Sequence, residues 1–359
     1  MRCVSIVTAC LLLLSACAPA TNSTPLPGVH AEIIEAPAAD VSAAPSAINP
    51  LTGLPVAAAA LERRPIVVKI SNAPALVRPQ AGIGAADLVY EHYTEGGLTR
   101  FSAVFYGQSP QRVGSIRSAR LIDDQLVPMY NALLAFSGAS TGVEQILYGA
   151  DYAPRTYKGV LYGAPYYWRD GGIAAPHNMF LNLAALWSLA AQEGFNARVD
   201  LSGMIFSATT PPNSGGTVNN IDVRFIATRA QWTYDAVSGL YLRYSDGLPH
   251  ADANTGAQIT AANVVILYAP HSETSIVESV WNDIPSYSIA INLLGAGAAV
   301  LFRDGQRYEC RWTRPTRESR LTLVTPDGQP LAFRPGVTWF EVVRPPEAMI
   351  PDSEWTRWG

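Results

Sequence analysis

Cysteine and lysine are the scarce residues of this 359-residue chain. Of four cysteines, Cys3, Cys10 and Cys17 crowd the first seventeen positions, so Cys310 is the single thiol beyond them. A lone thiol has no intramolecular partner, which excludes a disulfide framework. Cys310 sits in a strand-like run and reads as a small core hydrophobe. Lysine occurs only at Lys69 and Lys158. Any anion site must therefore be built from guanidinium forks rather than ammonium point charges. Basic excess is also lacking: the net charge is -4 and the pI about 5.8. That argues against nucleic acid or an anionic surface as a general partner. HExxH, CxxC and both standard glycine-rich phosphate loops are missing. A metal centre, nucleotide hydrolysis and dinucleotide redox chemistry have no support, and no cofactor is expected. His250 with Asp252 forms at most a metal pair without a third ligand.

What is present describes a globular protein: 48% hydrophobic and 15% charged residues. Residues 1–17 form a targeting segment, with Arg2 as its positive end and Val4 to Leu14 as its apolar stretch. It closes on Leu14-Ser15-Ala16-Cys17, the bacterial lipobox pattern. This predicts an acylated Cys17 anchoring the chain outside the cytoplasm, each buried methylene contributing roughly 0.8 kcal/mol. No other apolar run is long enough to span a membrane. Residues 18–47 are rich in Ala, Pro, Ser and Thr and read as a disordered tether.

The remainder divides into an N-terminal mixed α/β domain at 48–200, a Pro- and Gly-rich linker at 201–220, a smaller C-terminal domain of mostly antiparallel strands at 221–346, and a tail at 347–359. The fold class is α+β. In the first domain strands are expected at Ile66–Asn72, Phe101–Tyr106 and Ala132–Ser137. Helices are expected within Ala119–Leu134, where Pro128 interrupts, and at Met179–Gln192, with Asn178 as its start signal. After residue 220 alternating runs are separated by Asp-Gly turns at Asp304-Gly305 and Asp327-Gly328, a hairpin signature.

Candidate chemistry concentrates in Val113-Gly114-Ser115-Ile116-Arg117-Ser118-Ala119-Arg120 and the acids that follow. Arg117 and Arg120, three apart, with Arg100 from a neighbouring strand end, would take a carboxylate or phosphate at two points. Glu91, Glu95, Asp123 and Asp124 offer the opposite reading, in which those arginines are paired inside the protein. Gly138-Ala139-Ser140-Thr141-Gly142 matches a nucleophile-elbow pattern, with Asp170 and His177, or Asp246 and His250, downstream. His177 could serve as general acid/base or merely orient the start of a helix. Tyr157, Tyr162, Tyr166, Tyr167 and Trp168 would line a sugar or peptide groove, or pack as core.

These runs resemble the YerB-like lipoproteins, bacterial envelope proteins described by the domain of unknown function DUF3048. The resemblance is carried by Asn49-Pro50-Leu51-Thr52-Gly53, Arg78-Pro79-Gln80, Ala86-Asp87-Leu88-Val89-Tyr90-Glu91, Glu95-Gly96-Gly97-Leu98-Thr99-Arg100-Phe101, Gly114 to Arg120 and Ala175-Pro176-His177-Asn178. In the second half Asp252-Ala253-Asn254-Thr255-Gly256, Phe302-Arg303-Asp304-Gly305, Trp312-Thr313-Arg314 and Pro335-Gly336-Val337-Thr338-Trp339 belong to it too. It implies an exported lipoprotein with an α+β N-terminal domain and a smaller β-rich C-terminal one; it implies no reaction. The expected function is a ligand- or partner-binding envelope protein with an Arg-lined cleft, contacting cell-wall components or an envelope protein. Its ligand-binding residues are taken as Glu91, Glu95, Arg100, Arg117, Ser118, Arg120, Arg169, His177 and Asn178. The alternatives are a hydrolase using His177 with Ser140 or a Glu, and a purely structural protein.

Overall fold

The computed structural model describes residues 46–359. Cys17, the targeting segment and nearly all of the expected tether lie outside the described residues. The described residues form one compact unit. It is built mainly of strands, with short α-helices at Asp123–Tyr130 (α1), Thr141–Gly149 (α2) and Leu183–Gln192 (α3).

Ten strands form the central sheet: β1 (Ile66–Ser71), β2 (Leu88–Tyr93), β3 (Thr99–Phe105), β4 (Leu133–Phe136), β5 (Thr156–Lys158), β6 (Asn263–Tyr268), β7 (Gly295–Arg303), β8 (Gln306–Arg314), β9 (Thr322–Val324) and β10 (Thr338–Val343). Their spatial order is β9-β8-β7-β6-β10-β2-β3-β1-β4-β5. The pairs β6–β10, β10–β2, β1–β4 and β4–β5 are parallel and the others antiparallel. Every residue of β1, β2, β3, β6 and β10 is buried. Layers cover both sheet faces, which explains why both faces of these strands are rich in apolar residues, broken by buried polar groups such as Lys69, Glu91 and Glu341.

On one face Val68, Ile70, Val89 and Phe101 pack against a second sheet, through its Val223, Trp232 and Tyr241. That sheet is antiparallel, in the order Leu248–Pro249, Leu240–Ser245, Arg229–Asp235, Asn220–Arg224, Trp355–Trp358. On the other face Val67, Tyr90, Val104 and Leu134 meet Leu126 and Met129 of α1, Val143 and Leu147 of α2, and Cys310. Burial pushes the Cys310 thiol up to about 12, so it stays an inert core group.

Several boundaries differ from expectation. The two sequence halves pool their strands: β10 from the second half pairs with β2 from the first over Leu88–His92. The segment expected as a linker is pinned, with Ser207 N donating to Phe333 O and Gly215 N to Arg307 O. The expected tail supplies an edge strand, because Trp355 and Trp358 have apolar faces to bury. Trp358 packs on Phe302, ring centroids 5.6 Å apart. Met179–Leu181 is a strand, and the helix begins later, where Asn182 Oδ1 accepts from Ala185 N. Asn178 therefore does not cap it.

Candidate functional site

Strand alternation places Glu91 and His92 on opposite faces of the central sheet, and each seeds a buried polar network. On the helix-covered face, Lys69 on β1 stands directly opposite Ser102 on β3. Its ammonium donates to Ser102 Oγ at 2.6 Å and to Asp123 Oδ1 of α1 at 3.0 Å. His92 Nε2 lies 2.8 Å from the same nitrogen. All four side chains are fully buried. Burial, only partly offset by Asp123, lowers the Lys69 ammonium to about 8. Burial and the Lys69 charge hold His92 neutral. No substrate can reach this group; it fastens α1 to the sheet.

On the opposite face Glu91 and Glu341 are neighbours in the β2–β10 pairing. Arg243 of the second sheet bridges them, at 2.5 Å to Glu91 Oε2 and 3.3 Å to Glu341 Oε1. Trp232 Nε1 donates to Glu341 Oε1 at 2.9 Å. Arg243 Nε donates to His250 Nδ1 at 2.9 Å, which leaves the proton on Nε2 to donate to Gln80 Oε1 at 2.5 Å. One arginine cannot neutralise two buried carboxylates. Burial and the Glu91 charge push the Glu341 carboxyl up to about 8. This network locks the two sheets together. It also removes Glu91 from any ligand site and His250 from any catalytic or metal role.

The arginine cluster lies at the C-terminal ends of the parallel strands β1, β4 and β5, where ligands bind in many sheets of this kind. The segment 115–119 threads between the diverging strands. Arg117 N donates to Lys69 O, Ser137 N to Arg117 O, and Ala119 N to Gly138 O. Arg120 is 7% exposed and fully committed. Its Nε donates to Glu95 Oε2 at 2.7 Å, Nη2 pairs with Glu95 Oε1, and Nη1 donates to Ala119 O. Glu278, 2% exposed on the hairpin of His271–Trp281 and Ile284–Ile291, lies 3.4 Å from Nη1. Arg100 donates to Ser118 O at 3.0 Å and lies 3.5 Å from Glu95. Burial alone would raise the Glu95 carboxyl; the bond and charge of Arg120, with Arg100 behind it, outweigh burial and hold it at about 2.

Arg117 is the exception. It is half-buried, has no ion-pair partner among the described residues, and its Nε is buried without a hydrogen bond. The carboxylate of Glu95 is already taken by Arg120. Burial and the Arg117 charge depress the pKa of His177 nearby, and His177 Nδ1 also lacks a partner. Ser115 Oγ, on the same segment as Arg117, is likewise buried without a partner. Arg169, exposed, donates to Asn178 Oδ1 at 2.7 Å. The structure thus brings Arg117, Ser118, His177 and Asn178 along one stretch of surface, because Met179 O accepts from Ile116 N.

Ser140 is not assembled as a nucleophile. Its Oγ has no hydrogen-bond partner among the described residues, so no base touches it. Its carbonyl accepts from Glu144 N at the start of α2. Among the described residues no group of three or more acidic, His or Cys side chains could hold a metal.

The distinctive runs of the sequence are largely framework. Asn49 Nδ2 and the amides of Tyr106 and Gly107 saturate Asp87. Asp252 accepts from Gly82 N, Gly84 N and Asn254 N. The fully buried Arg303 donates to Asp304 and the carbonyls of Ser207 and Ala332. Sequence reasoning passed over Lys69, Ser102, Arg243 and Glu341. The available signal was polar residues at positions where strand alternation demands apolar ones.

The fold and these networks define a DUF3048 protein. The chain belongs to this family: its model, "Protein of unknown function (DUF3048) N-terminal domain", matches residues 51–196, and the C-terminal domain model matches 221–340. A relative in Bacillus subtilis (strain 168), "Putative lipoprotein YerB", is 31% identical over 299 residues, covering 82% of this chain and 85% of the relative. The crystal structure of the YerB protein from Bacillus subtilis is similar with a TM-score of 0.73 at 28% identity, spanning 87% of this chain and 99% of that one.

Proposed function

We propose that this chain is a membrane-anchored lipoprotein of the bacterial cell envelope. It binds, without chemical turnover, a ligand carrying a carboxylate or phosphate, and Arg117 is the residue that receives it. The lipobox at Cys17 and the name of the Bacillus relative support the anchor. The observation that carries the binding reading is the contrast within one cluster. Arg120 and Arg100 share the Glu95 carboxylate, whereas the Arg117 guanidinium is partly desolvated, makes no ion pair among the described residues, and feels the repulsion of Arg120 more than the attraction of Glu95. A desolvated, unpaired guanidinium costs free energy that an incoming anion recovers. Neutral His177 supplies a further polar group at its side.

Thermal-shift titrations of the full-length chain in detergent test this, with inorganic phosphate and N-acetylalanine as probes. Saturable stabilisation is expected in the wild type and in Arg198→Ala, which removes an exposed arginine paired with Glu62, but not in Arg117→Ala. Equal stabilisation of the Arg117→Ala protein would remove Arg117 from the site.

A further inference from the structure

Along the segment that follows His177 lies an aromatic groove of about 370 Å³, lined by Val160, Tyr162, Tyr167, Trp168, Arg169 and Met179. Its size is at the lower end of ordinary small-ligand sites, roughly 300–1,000 Å³. From its features we infer that the groove is a saccharide subsite, and that the chain binds a glycan bearing an acidic substituent. The pyranose ring would rest on Tyr162 while the acid reaches Arg117. The inference rests on the anion-binding reading of Arg117 and names the class of molecule that carries the anion.

The groove is preorganised. Tyr162 packs edge-on against Tyr166 and tilted against Tyr157 and Tyr167, with centroids 5.9–6.3 Å apart. Trp168, next to Tyr167 on the strand, turns its ring to the other face, where it stacks on Phe180 at 6.2 Å. Tyr162 remains only half-buried, so ring surface is left for a ligand. Val160 and Leu161 on the same turn are 54% and 72% exposed, more apolar surface than a solvent-facing turn requires. At Gly159 a Cβ would meet Met179 Sδ at 2.7 Å and the Tyr167 ring at 2.9 Å, so only glycine lets the wall close this tightly. Aromatic faces joined to a polar rim suit the flat apolar face and hydroxyl edge of a sugar ring. The exposed guanidinium of Arg169, oriented by Asn178, supplies that rim. Three lining residues, Tyr167 to Arg169, belong to an edge strand, so an extended peptide is the competing occupant, to be told apart by titration.

One short segment joins groove and arginine. Met179 lines the groove while its carbonyl holds Ile116, the neighbour of Arg117. Asn178 positions Arg169, and His177 lies within the field of Arg117. Residues 177–179 thus form a wall common to both.

Calorimetric titration of the full-length chain in detergent separates the two halves. The probes are N,N′-diacetylchitobiose, which is neutral, the N-acetylglucosamine–N-acetylmuramic acid disaccharide, which carries a lactyl carboxylate, and an acidic tetrapeptide. Wild type is expected to bind both saccharides, the acidic one more tightly, and the peptide not measurably. Tyr162→Ala is expected to weaken both saccharides roughly two- to tenfold, the worth of one aromatic contact, with Tyr162→Phe restoring most of the loss. Arg117→Ala is expected to leave the neutral disaccharide unchanged and abolish the advantage of the acidic one. Absence of saturable binding by both saccharides, or preference for the peptide, overturns the inference. The anion reading then stands or falls separately on the phosphate titration.

Discussion

Arg117 and Arg120 are three residues apart and chemically identical, yet their removal should have opposite consequences. Arg120→Ala strips the counter-charge from Glu95 and from Glu278, both largely buried. Breaking a buried pair by deleting one partner costs about 3–5 kcal/mol. The titration of Glu95 gives an independent figure. Its carboxyl is held at about 2 against an ordinary 4.5, chiefly by Arg120 working against burial. At about 1.4 kcal/mol per pH unit that corresponds to about 3 kcal/mol. Arg100, already 3.5 Å from Glu95, compensates in part. The loss should therefore lie near about 3 kcal/mol, a fall in Tm on the order of 5–10 °C. Arg117→Ala breaks no bond and relieves repulsion from Arg120, so stability should change by less than about 1 kcal/mol. The assay is thermal unfolding followed by circular dichroism, repeated across pH. A depressed carboxylate pKa stabilises above the unfolded value and loses that contribution as pH falls toward the folded one. The wild type should thus weaken between pH 4.5 and 2, and Arg120→Ala should lose much of that dependence. Equal destabilisation by both substitutions would refute the division into scaffold and site.

Three further outcomes follow from the buried networks and the C-terminal strand. Lys69→Met leaves Asp123 charged and unpaired, and should cost about 3–5 kcal/mol, whereas Lys69→Met with Asp123→Leu should recover much of it; urea melts of both variants check this. Glu341, raised to about 8, favours the folded state most below its unfolded pKa and loses that contribution as pH rises from about 4.5 through about 8. Glu341→Gln should flatten the decline, and a stability profile as steep as that of wild type would contradict the assignment. Deleting residues 355–359 removes the edge strand held by Ile221–Arg224 and the Trp355 bond to Asp222. It should lower Tm by several degrees rather than leave it unchanged, as loss of a free tail would.

Much of the central sheet could be read from the chain, because β1, β3 and β10 are buried on both faces and appear as continuous β-branched and aromatic runs. The pooling of strands from both halves could not. Parallel pairing of β10 with β2 joins residues some 250 positions apart, and hydrophobic pattern carries no information about such distant partners. The hairpin of His271–Trp281 was obscured by its polar alternation and its bulges. The same limit governs the site. The run from Gly114 to Arg120 is recognisable as a concentration of charge, and both readings of it hold, one for each arginine. Which arginine is spent and which is free depends on Glu95 and Glu278. Glu278 lies more than 150 residues downstream, on a hairpin whose fold alone brings it to Arg120.

The most direct measurement is a crystal structure of the chain with the N-acetylglucosamine–N-acetylmuramic acid disaccharide bound. The account predicts a carboxylate oxygen within hydrogen-bonding distance of the Arg117 guanidinium, the sugar ring on Tyr162, and Arg120 still on Glu95. A ligand elsewhere on the molecule, with Arg117 turned onto a protein carboxylate, would contradict it.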